Sequence, residues 1–306
     1  MGMLYMNKRI LLICLASLFL LPWIGPTLSM SDKIFYEIRI PRVLIGIAVG
    51  ALLGLTGYLY QLIFRNPLAT PYTLGVASAA SLGAVVSIGF FPMIIPSVGG
   101  IIGALFVCVI FVTIFKSQYL ADRVILFGVV LGLFLSSLTV VIQYIVSGSE
   151  VFRIVHWLLG SLQVTSYSLV FLIFLVLFVL LCLALRFSTE LSLIAMGDEY
   201  AKSKGVESES INWLFFIAVS IAIGLCVSFF GPIGFVGLAV PFMARGISPF
   251  NFNNQIIWSV VLGAVFLGWS DALGRVITYP LEVPAGVVTA IFGAPIVAYS
   301  LLMQKS

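Results

Sequence analysis

The segment that indicates the fold most clearly is residues 39–75, RIPRVLIGIAVGALLGLTGYLYQLIFRNPLATPYTLG. Arg39 and Arg42 stand at one end, and a charged, proline-containing turn stands at the other. The roughly 22 uncharged residues from Val43 to Phe64 are enough for a helix to cross a hydrocarbon core of ~30 Å, because a helix rises about 1.5 Å per residue. We therefore expect the two ends of this segment to face different compartments.

The composition of the whole chain agrees with this segment. Of the 306 residues, 62% are hydrophobic and 8% are charged, whereas soluble globular domains carry about 25% charged residues. Most of the chain is therefore expected to lie in lipid. The formal net charge is +4, but the basic residues occur singly or in pairs. This distribution is typical of membrane topology signals, so we expect no nucleic-acid partner.

Apolar segments recur along the chain and predict an all-α membrane protein with ten transmembrane helices in a single domain, residues 1–306. The first segment follows a basic lead similar to that of a signal peptide. No small-residue cleavage site comes before Pro22 and Trp23, so we expect a retained helix and not a cleaved leader. The ten predicted spans are residues 10–28, 43–64, 73–91, 96–115, 124–146, 166–185, 211–230, 233–247, 256–273 and 283–303.

The distribution of Lys and Arg predicts the orientation. Counted over alternate loops, ten of the 15 basic residues share the side of the N-terminus, and the other five lie on the opposite side. Cytoplasmic loops carry the excess of positive charge, so both termini are expected in the cytoplasm. Arg39, Arg42 and Arg275 are then external, and the long polar segment between the sixth and seventh spans is internal.

Glycines at a spacing of four mark the second span. Gly46, Gly50 and Gly54 lie on one helical stripe, where the missing side chains let another helix approach closely. Prolines such as Pro241 and Pro295 interrupt the later spans, which a helix bundle tolerates when neighbours satisfy the freed backbone groups. We therefore expect the stripe to pack inside a bundle, in a transporter with broken helices or in another helical membrane protein.

Residue patterns for catalysis and metal binding are missing from the sequence. It has four cysteines, all in apolar runs and without C-x-x-C spacing, a single histidine, and no G-x-x-x-x-G-K-[ST] loop or paired catalytic carboxylates. We expect no catalytic residue, no metal and no cofactor. Asp271 lies four residues before Arg275 and is expected to pair with it on one helix face. His156 is expected to be an interfacial packing residue.

The internal polar segment, residues 190–209, contains a short helical pattern within MGDEYAKSKGVE at 196–207. Ala195, Tyr200, Ala201 and Val206 recur among charged residues at helical spacing, and Gly205 is a natural helix stop. The pattern predicts a short helix on the cytoplasmic face with one apolar side. A docking surface and an ordinary loop helix are equally compatible with this composition.

Six blocks together resemble the permease subunits of type II ABC importers for iron–siderophore complexes, haem and cobalamin. They occur in the family's order and span nearly the whole chain after Lys33. The blocks are RIPRVL at 39–44, FRNPLATPYTLG at 64–75, WLLGSL at 157–162, GDEYAKSKGV at 197–206, GFVGLAVPFMAR at 234–245 and LEVPAGVVTAIFGAP at 281–295.

The resemblance implies the type II ABC importer permease fold in a bacterial cytoplasmic (inner) membrane, with defined partners. These are two ATP-binding cassette ATPase subunits, an external substrate-binding protein, and a second permease subunit, either a copy or a paralogue. ATP hydrolysis would belong to the ATPase partner, so the chain itself is expected to be a transport subunit and not an enzyme. The surrounding lipid is the remaining partner.

The resemblance also implies roles for particular residues. Arg39, Arg42 and Arg275 match arginines that pair with acidic residues of the binding protein. The helical pattern in residues 190–209 matches the segment that couples to the ATPase, which favours docking over an ordinary loop helix. Its matching positions are Gly197, Asp198, Glu199, Ala201, Lys202, Gly205 and Val206.

Two positions differ from the family pattern. Leu120, Ala121 and Asp122 occupy the place of the cytoplasmic gate, where some members carry small hydroxyl residues. Phe242 stands where the V-P-H block of the family has histidine, so the hydrogen bonds of that histidine are missing here. The surrounding residues of the block are kept, and the expected fold does not change.

Three functions follow as alternatives. The first is import of a ferric siderophore, and the second is import of haem or cobalamin by the same kind of machine. The third, from another class, is ion-coupled secondary transport, which predicts ionisable residues at mid-membrane that this sequence lacks. The first is preferred over the second only because iron chelates are the commoner cargo in the family.

Overall fold

The computed structural model describes residues 2–25, 32–91, 93–115, 121–163, 166–249, 251–278 and 281–303. All regular secondary structure in these ranges is helical. Short 3₁₀ and π turns, Leu21–Trp23 and Phe35–Arg39, flank the α-helices near the N-terminus. The α-helices are α1 Gly2–Leu18, α2 Asp32–Ile34, α3 Ile40–Ile63, α4 Val76–Phe90, α5 Pro96–Phe115, α6 Ala121–Ile145, α7 Gly148–Leu158, α8 Tyr167–Arg186, α9 Ser188–Ala195, α10 Asp198–Ser203, α11 Ser208–Phe230, α12 Val236–Ile247, α13 Phe252–Ile277 and α14 Ala285–Met303.

Among the described residues, six helical segments are long and apolar enough to cross a membrane, and three further apolar helices are shorter. The six are Phe35–Ile63, Pro96–Phe115, Asp122–Ile145, Tyr167–Arg186, Ser208–Phe230 and Phe252–Ile277. The count of ten spans therefore stays a prediction. The largest difference from the predicted bounds lies in the first span, where α1 ends at Leu18 and a 3₁₀ turn follows. Pro22 explains this end, because proline has no backbone N–H to continue a helix.

The chain divides into two compact units. Unit 1 consists of Met1–Tyr58, Ser161–Cys182 and Gly234–Ser306, and unit 2 consists of Leu59–Gly160 and Leu183–Ile233. Both units contain segments that are distant in sequence, so the division does not follow chain order.

The glycine stripe of α3 lies in unit 1 and faces α13. A Cβ atom on Gly50 would overlap the carbonyl oxygen of Gly263, and one on Gly54 would overlap that of Ser259. Gly46 lies against Leu162 and Gly268. Missing side chains let the two backbones touch, which is how helices gain packing energy where lipid supplies no hydrophobic drive between them.

Unit 2 is built on α4, α5, α6 and α11. A Cβ atom on Gly83 of α4 would overlap the carbonyl oxygen of Gly99 of α5, so these helices also meet backbone to backbone. The aromatic rings of Tyr60, Phe111 and Phe216 are fully buried and pack on one another, with centroids 5.2–6.0 Å apart. The short amphipathic helix α7 covers one end of α4 with buried Ile154.

Candidate functional site

The three arginines predicted for docking lie together at one end of unit 1. Arg39 and Arg42 come from the start of the α3 segment, and Arg275 comes from the last turn of α13. The π turn before α3 and the 3₁₀ turn after α1 bring main-chain oxygens to the same place. Arg39 donates to the carbonyl of Pro22 at 3.4 Å, and Arg275 donates to that of Leu21 at 3.3 Å.

Two carboxylates contact Arg42 and Arg275. Arg42 donates through Nε and Nη2 to Oδ1 of Asp271, at 3.1 and 2.9 Å, and through Nη1 to Oε2 of Glu282 at 2.7 Å. Asp271 also lies 3.3 Å from Nε of Arg275, which confirms the predicted pair four residues apart. We call Arg39, Arg42, Asp271, Arg275 and Glu282 the arginine network.

The network is largely buried. Side-chain exposure is 12% for Arg42, 4% for Asp271 and 4% for Arg275, whereas Glu282 keeps 35%. Buried charges persist only when they are paired and hydrogen-bonded, because they lose their hydration. Arg42 and Arg275 meet this condition through Asp271 and Glu282.

Helix α10 in unit 2 forms the centre of the segment predicted to couple to an ATPase. Gly197 precedes it with φ +128°, and Gly205 follows it with φ +80°. Val206 N donates to Ala201 O, and Gly205 N donates to Lys202 O, which is the hydrogen-bond pattern of a Schellman C-cap. The predicted helix stop at Gly205 is confirmed, because a residue with a Cβ atom is strained at this φ.

The faces of α10 differ from the predicted arrangement. Ala201 has no exposed surface, so it packs against the rest of unit 2 and does not lie on an outward docking face. Tyr200 is 45% exposed and Met196 is 63% exposed. Glu199 and Lys202 are also exposed. The outward surface therefore combines apolar and charged side chains, whereas the small Ala201 lets the helix lie close to its own chain.

A contact that the sequence did not reveal ties α10 to the turn after α3. Nη2 of Arg65 donates to Oδ2 of Asp198, and both side chains are partly exposed. Arg65 has φ +49°, and Asn66 N donates to Gln61 O, so Arg65 closes the C-terminus of α3 in a left-handed conformation. In the sequence, the two partners are recognisable only as oppositely charged residues in polar loops, and 133 residues separate them.

The other predicted positions are placed as follows. Leu120 of the predicted gate lies outside the described residues, Ala121 begins α6, and Asp122 is exposed in its first turn. Phe242 is buried beside Ala239 and Val297, and the guanidinium of Arg245 lies 5.0 Å from its ring centroid. Phe242 therefore packs in the core and forms a cation–π contact at the position where the family pattern has histidine.

A polar cavity of about 310 Å³ lies in unit 2. Its wall carries hydroxyl and amide groups and no charged side chain. The hydroxyl of Tyr72 is buried in this wall, and burial raises the pKa of this phenol. The cavity can hold water or another neutral group that forms hydrogen bonds. Its polar lining residues are Tyr72, Ser78, Ser81, Ser136, Thr139 and Gln143.

Within the described residues, no group of three or more His, Cys, Asp or Glu side chains is arranged to hold a metal ion. The single histidine, His156, is exposed on α7 and its ring lies 6.3 Å from that of Phe152.

Comparisons with known proteins agree with this picture. The model of the FecCD transport family matches residues 10–303. An iron chelatin transport system permease protein of Helicobacter pylori is 34% identical over 91% of this chain and 85% of its own length. The vitamin B12 import system permease protein BtuC of Photorhabdus laumondii is 32% identical over 92% of this chain and 87% of its own.

Comparison of structures gives the same family. A solved structure described as an inward-facing conformation of a metal-chelate type ABC transporter has a TM-score of 0.87 and 27% identity, and the match covers 98% of this chain and all of that one. The relatives are permease subunits, transport components without catalytic activity of their own. This chain therefore belongs to the FecCD transport family and is a membrane permease subunit of an ABC importer.

Proposed function

We propose that this permease carries a ferric siderophore from an external binding protein into a bacterial cytoplasm. The observation that carries the proposal is the match over the whole chain to a metal-chelate type transporter, at a TM-score of 0.87. The relative named for iron chelatin supports the same cargo. A large chelate that is passed between two partners needs a pathway without strong binding, since tight binding would slow its release.

Vitamin B12 is the second candidate cargo, because a relative at 32% identity is named for its import. Haem remains a third cargo of the same class. Ion-coupled transport is disfavoured by the placement of charges. In the described membrane-crossing segments, ionisable side chains lie within about two turns of a helix end, whereas proton or sodium coupling needs them at mid-membrane.

Reconstitution tests the cargo directly. The permease, its ATPase and its binding protein are placed in liposomes, and uptake of a radiolabelled ferric siderophore, cobalamin and haem is compared with and without ATP. We expect ATP-dependent uptake of the siderophore alone. Uptake of cobalamin or haem in its place would reassign the cargo, and uptake driven by a proton gradient without ATP would refute the proposal.

The arginine network is the proposed docking site for the binding protein, with Arg39, Arg42 and Arg275 as its cationic residues. The gathering of three arginines at one end of unit 1 supports this role, because a positive patch steers an acidic partner into register. Burial of the arginines means that the partner meets a preorganised network and not three free side chains. The charge count of the loops supports placing this end outside and both termini in the cytoplasm of an inner-membrane protein.

The outward face of α10 is the proposed contact with the ATPase. Support comes from the exposed Tyr200 and Met196 beside charged residues, since an aromatic group with a polar rim is typical of interface anchors. The ion pair from Arg65 to Asp198 connects this face to the cytoplasmic end of α3. Gly197 and Gly205 set the bounds of the contact.

A second permease subunit completes the proposed pathway, and the whole of residues 1–306 acts as one permease domain. Helix α6 supports this arrangement, because large apolar side chains are exposed on several of its faces, including Leu133, Phe134 and Tyr144. Exposed apolar area of this kind faces lipid or a partner helix. The start of α6, with Ala121 and Asp122, is the proposed cytoplasmic gate together with Leu120.

A further inference from the structure

One carboxylate of the arginine network differs from the other in its surroundings. Asp271 touches both Arg42 and Arg275 and has 4% of its side chain exposed. Glu282 touches Arg42 alone and has 35% exposed. Among the described residues, Arg42 is thus shared between one buried carboxylate and one that solvent reaches.

The backbone beside Glu282 is held in place. Leu281 N donates to Thr278 O at 2.9 Å, and the hydroxyl of Thr278 donates to Leu281 O at 2.7 Å. On the other side, Val283 N donates to Gly274 O at 3.0 Å, and a Cβ atom on Gly274 would overlap the carbonyl of Val283. These bonds tie Leu281 and Val283 to the end of α13, so Glu282 can leave Arg42 by side-chain rotation alone.

The two carboxylates also differ in how easily they separate from Arg42. An exposed ion pair contributes little to stability, because water and salt replace the lost partner. Breaking a buried pair leaves an uncompensated charge and costs far more. Asp271 therefore keeps its position when a partner approaches, and Glu282 is the group that an incoming carboxylate can replace.

We propose that Glu282 is an internal ligand of the docking site, which occupies Arg42 in the free permease and is exchanged for an acidic side chain of the binding protein. The inference rests on the proposed docking at the arginine network and adds a residue to it. Exchange leaves Arg42 paired in both states, so its contribution to the docking free energy is the difference between two ion pairs. That contribution is therefore small, which favours release of the partner after each delivery.

The test compares two substitutions that each remove one negative charge from unit 1. Glu282→Gln removes the proposed internal ligand. Glu37→Gln removes an exposed carboxylate two residues from Arg39 and serves as the control. The complete transporter is held in nanodiscs, and affinity is measured for the binding protein that stimulates its ATPase activity. We expect Glu282→Gln to tighten docking by about two- to five-fold at low salt, with less gain at high salt, and Glu37→Gln to change it less.

A double-substitution cycle with Arg42→Gln separates this inference from the proposed docking. The gain from Glu282→Gln should vanish when Arg42 is already replaced. Equal gains from both Gln variants, or unchanged or weaker docking with Glu282→Gln, would overturn the exchange. If Arg42→Gln leaves docking unchanged in a folded transporter, the docking proposal itself is wrong. Melting temperatures of all variants identify any that fail to fold.

Discussion

The arginine network and α10 were predicted for similar roles, yet they place charge in opposite surroundings. In the network, Arg42, Asp271 and Arg275 are largely buried and paired with one another, and Glu282 is the exposed member. In α10, the charged side chains face outward and the small Ala201 is buried. Charge substitutions should therefore act mainly on stability in the network and mainly on partner contacts in α10.

The largest effect is expected from Asp271→Ala. This substitution removes the carboxylate shared by Arg42 and Arg275, both largely buried. Leaving buried charges without their partner costs about 3–5 kcal/mol. Thermal unfolding of the purified permease should show a large drop in melting temperature, whereas Glu282→Gln should change it little. Equal, small shifts for both would show that the network does not hold unit 1 together.

The next effect distinguishes the two faces of α10. Ala201→Asp forces a polar group into a site with no exposed surface and is expected to cost about 1–3 kcal/mol or more. Tyr200→Asp lies on the exposed face and should leave the melting temperature nearly unchanged while it lowers ATPase coupling. The measurements are unfolding temperature and the ratio of transport to ATP hydrolysis. Normal coupling in Tyr200→Asp would argue against the docking face.

The glycine stripe allows a matched comparison within unit 1. Gly50→Ala places a methyl group against the carbonyl of Gly263, so α3 and α13 must move apart, at a cost of about 1–3 kcal/mol. Gly246→Ala adds the same group where no atom lies within 4 Å. Melting temperature and uptake should fall for Gly50→Ala only. Similar behaviour of the two variants would mean that close backbone contact is unimportant.

The smallest effect is expected at the ion pair between Arg65 and Asp198. Both side chains are more than a third exposed, at 35% and 40%. Exposed ion pairs of this kind contribute about 0.2–1 kcal/mol. Arg65→Gln should hardly change the melting temperature. If the pair connects α3 to the ATPase contact, transport per ATP hydrolysed should fall in Arg65→Gln and in Asp198→Asn, and the double variant should be no worse than either.

Local patterns predicted the helical fold well because their signals lie close together in sequence. The apolar run after Arg42 predicted α3, and the position of Gly205 predicted the end of α10. The spacing of Asp271 and Arg275 predicted their ion pair, since residues four apart meet on one helix face. The predicted first span extends past the end of α1, because hydropathy continues beyond Leu18 whereas Pro22 prevents the helix from continuing.

These local patterns could not predict ion pairs between residues far apart in the sequence. Glu282 lies 240 residues from Arg42, and nothing near either residue specifies the other. The inward face of Ala201 was missed for a related reason, because a small apolar residue in a short helix packs as readily on its own chain as on a partner.

The sequence alone indicates that this protein is helical and lies in a membrane. Its arginines, glycines and polar turns match the pattern of one permease family. Periodicity and composition carry that information, since helix formation and burial in lipid depend on neighbouring residues. Tertiary contacts were needed to show which charges neutralise one another and which remain accessible. The reason is that pairing depends on distances between segments far apart in the chain, and the cost of a charge depends on whether water reaches it.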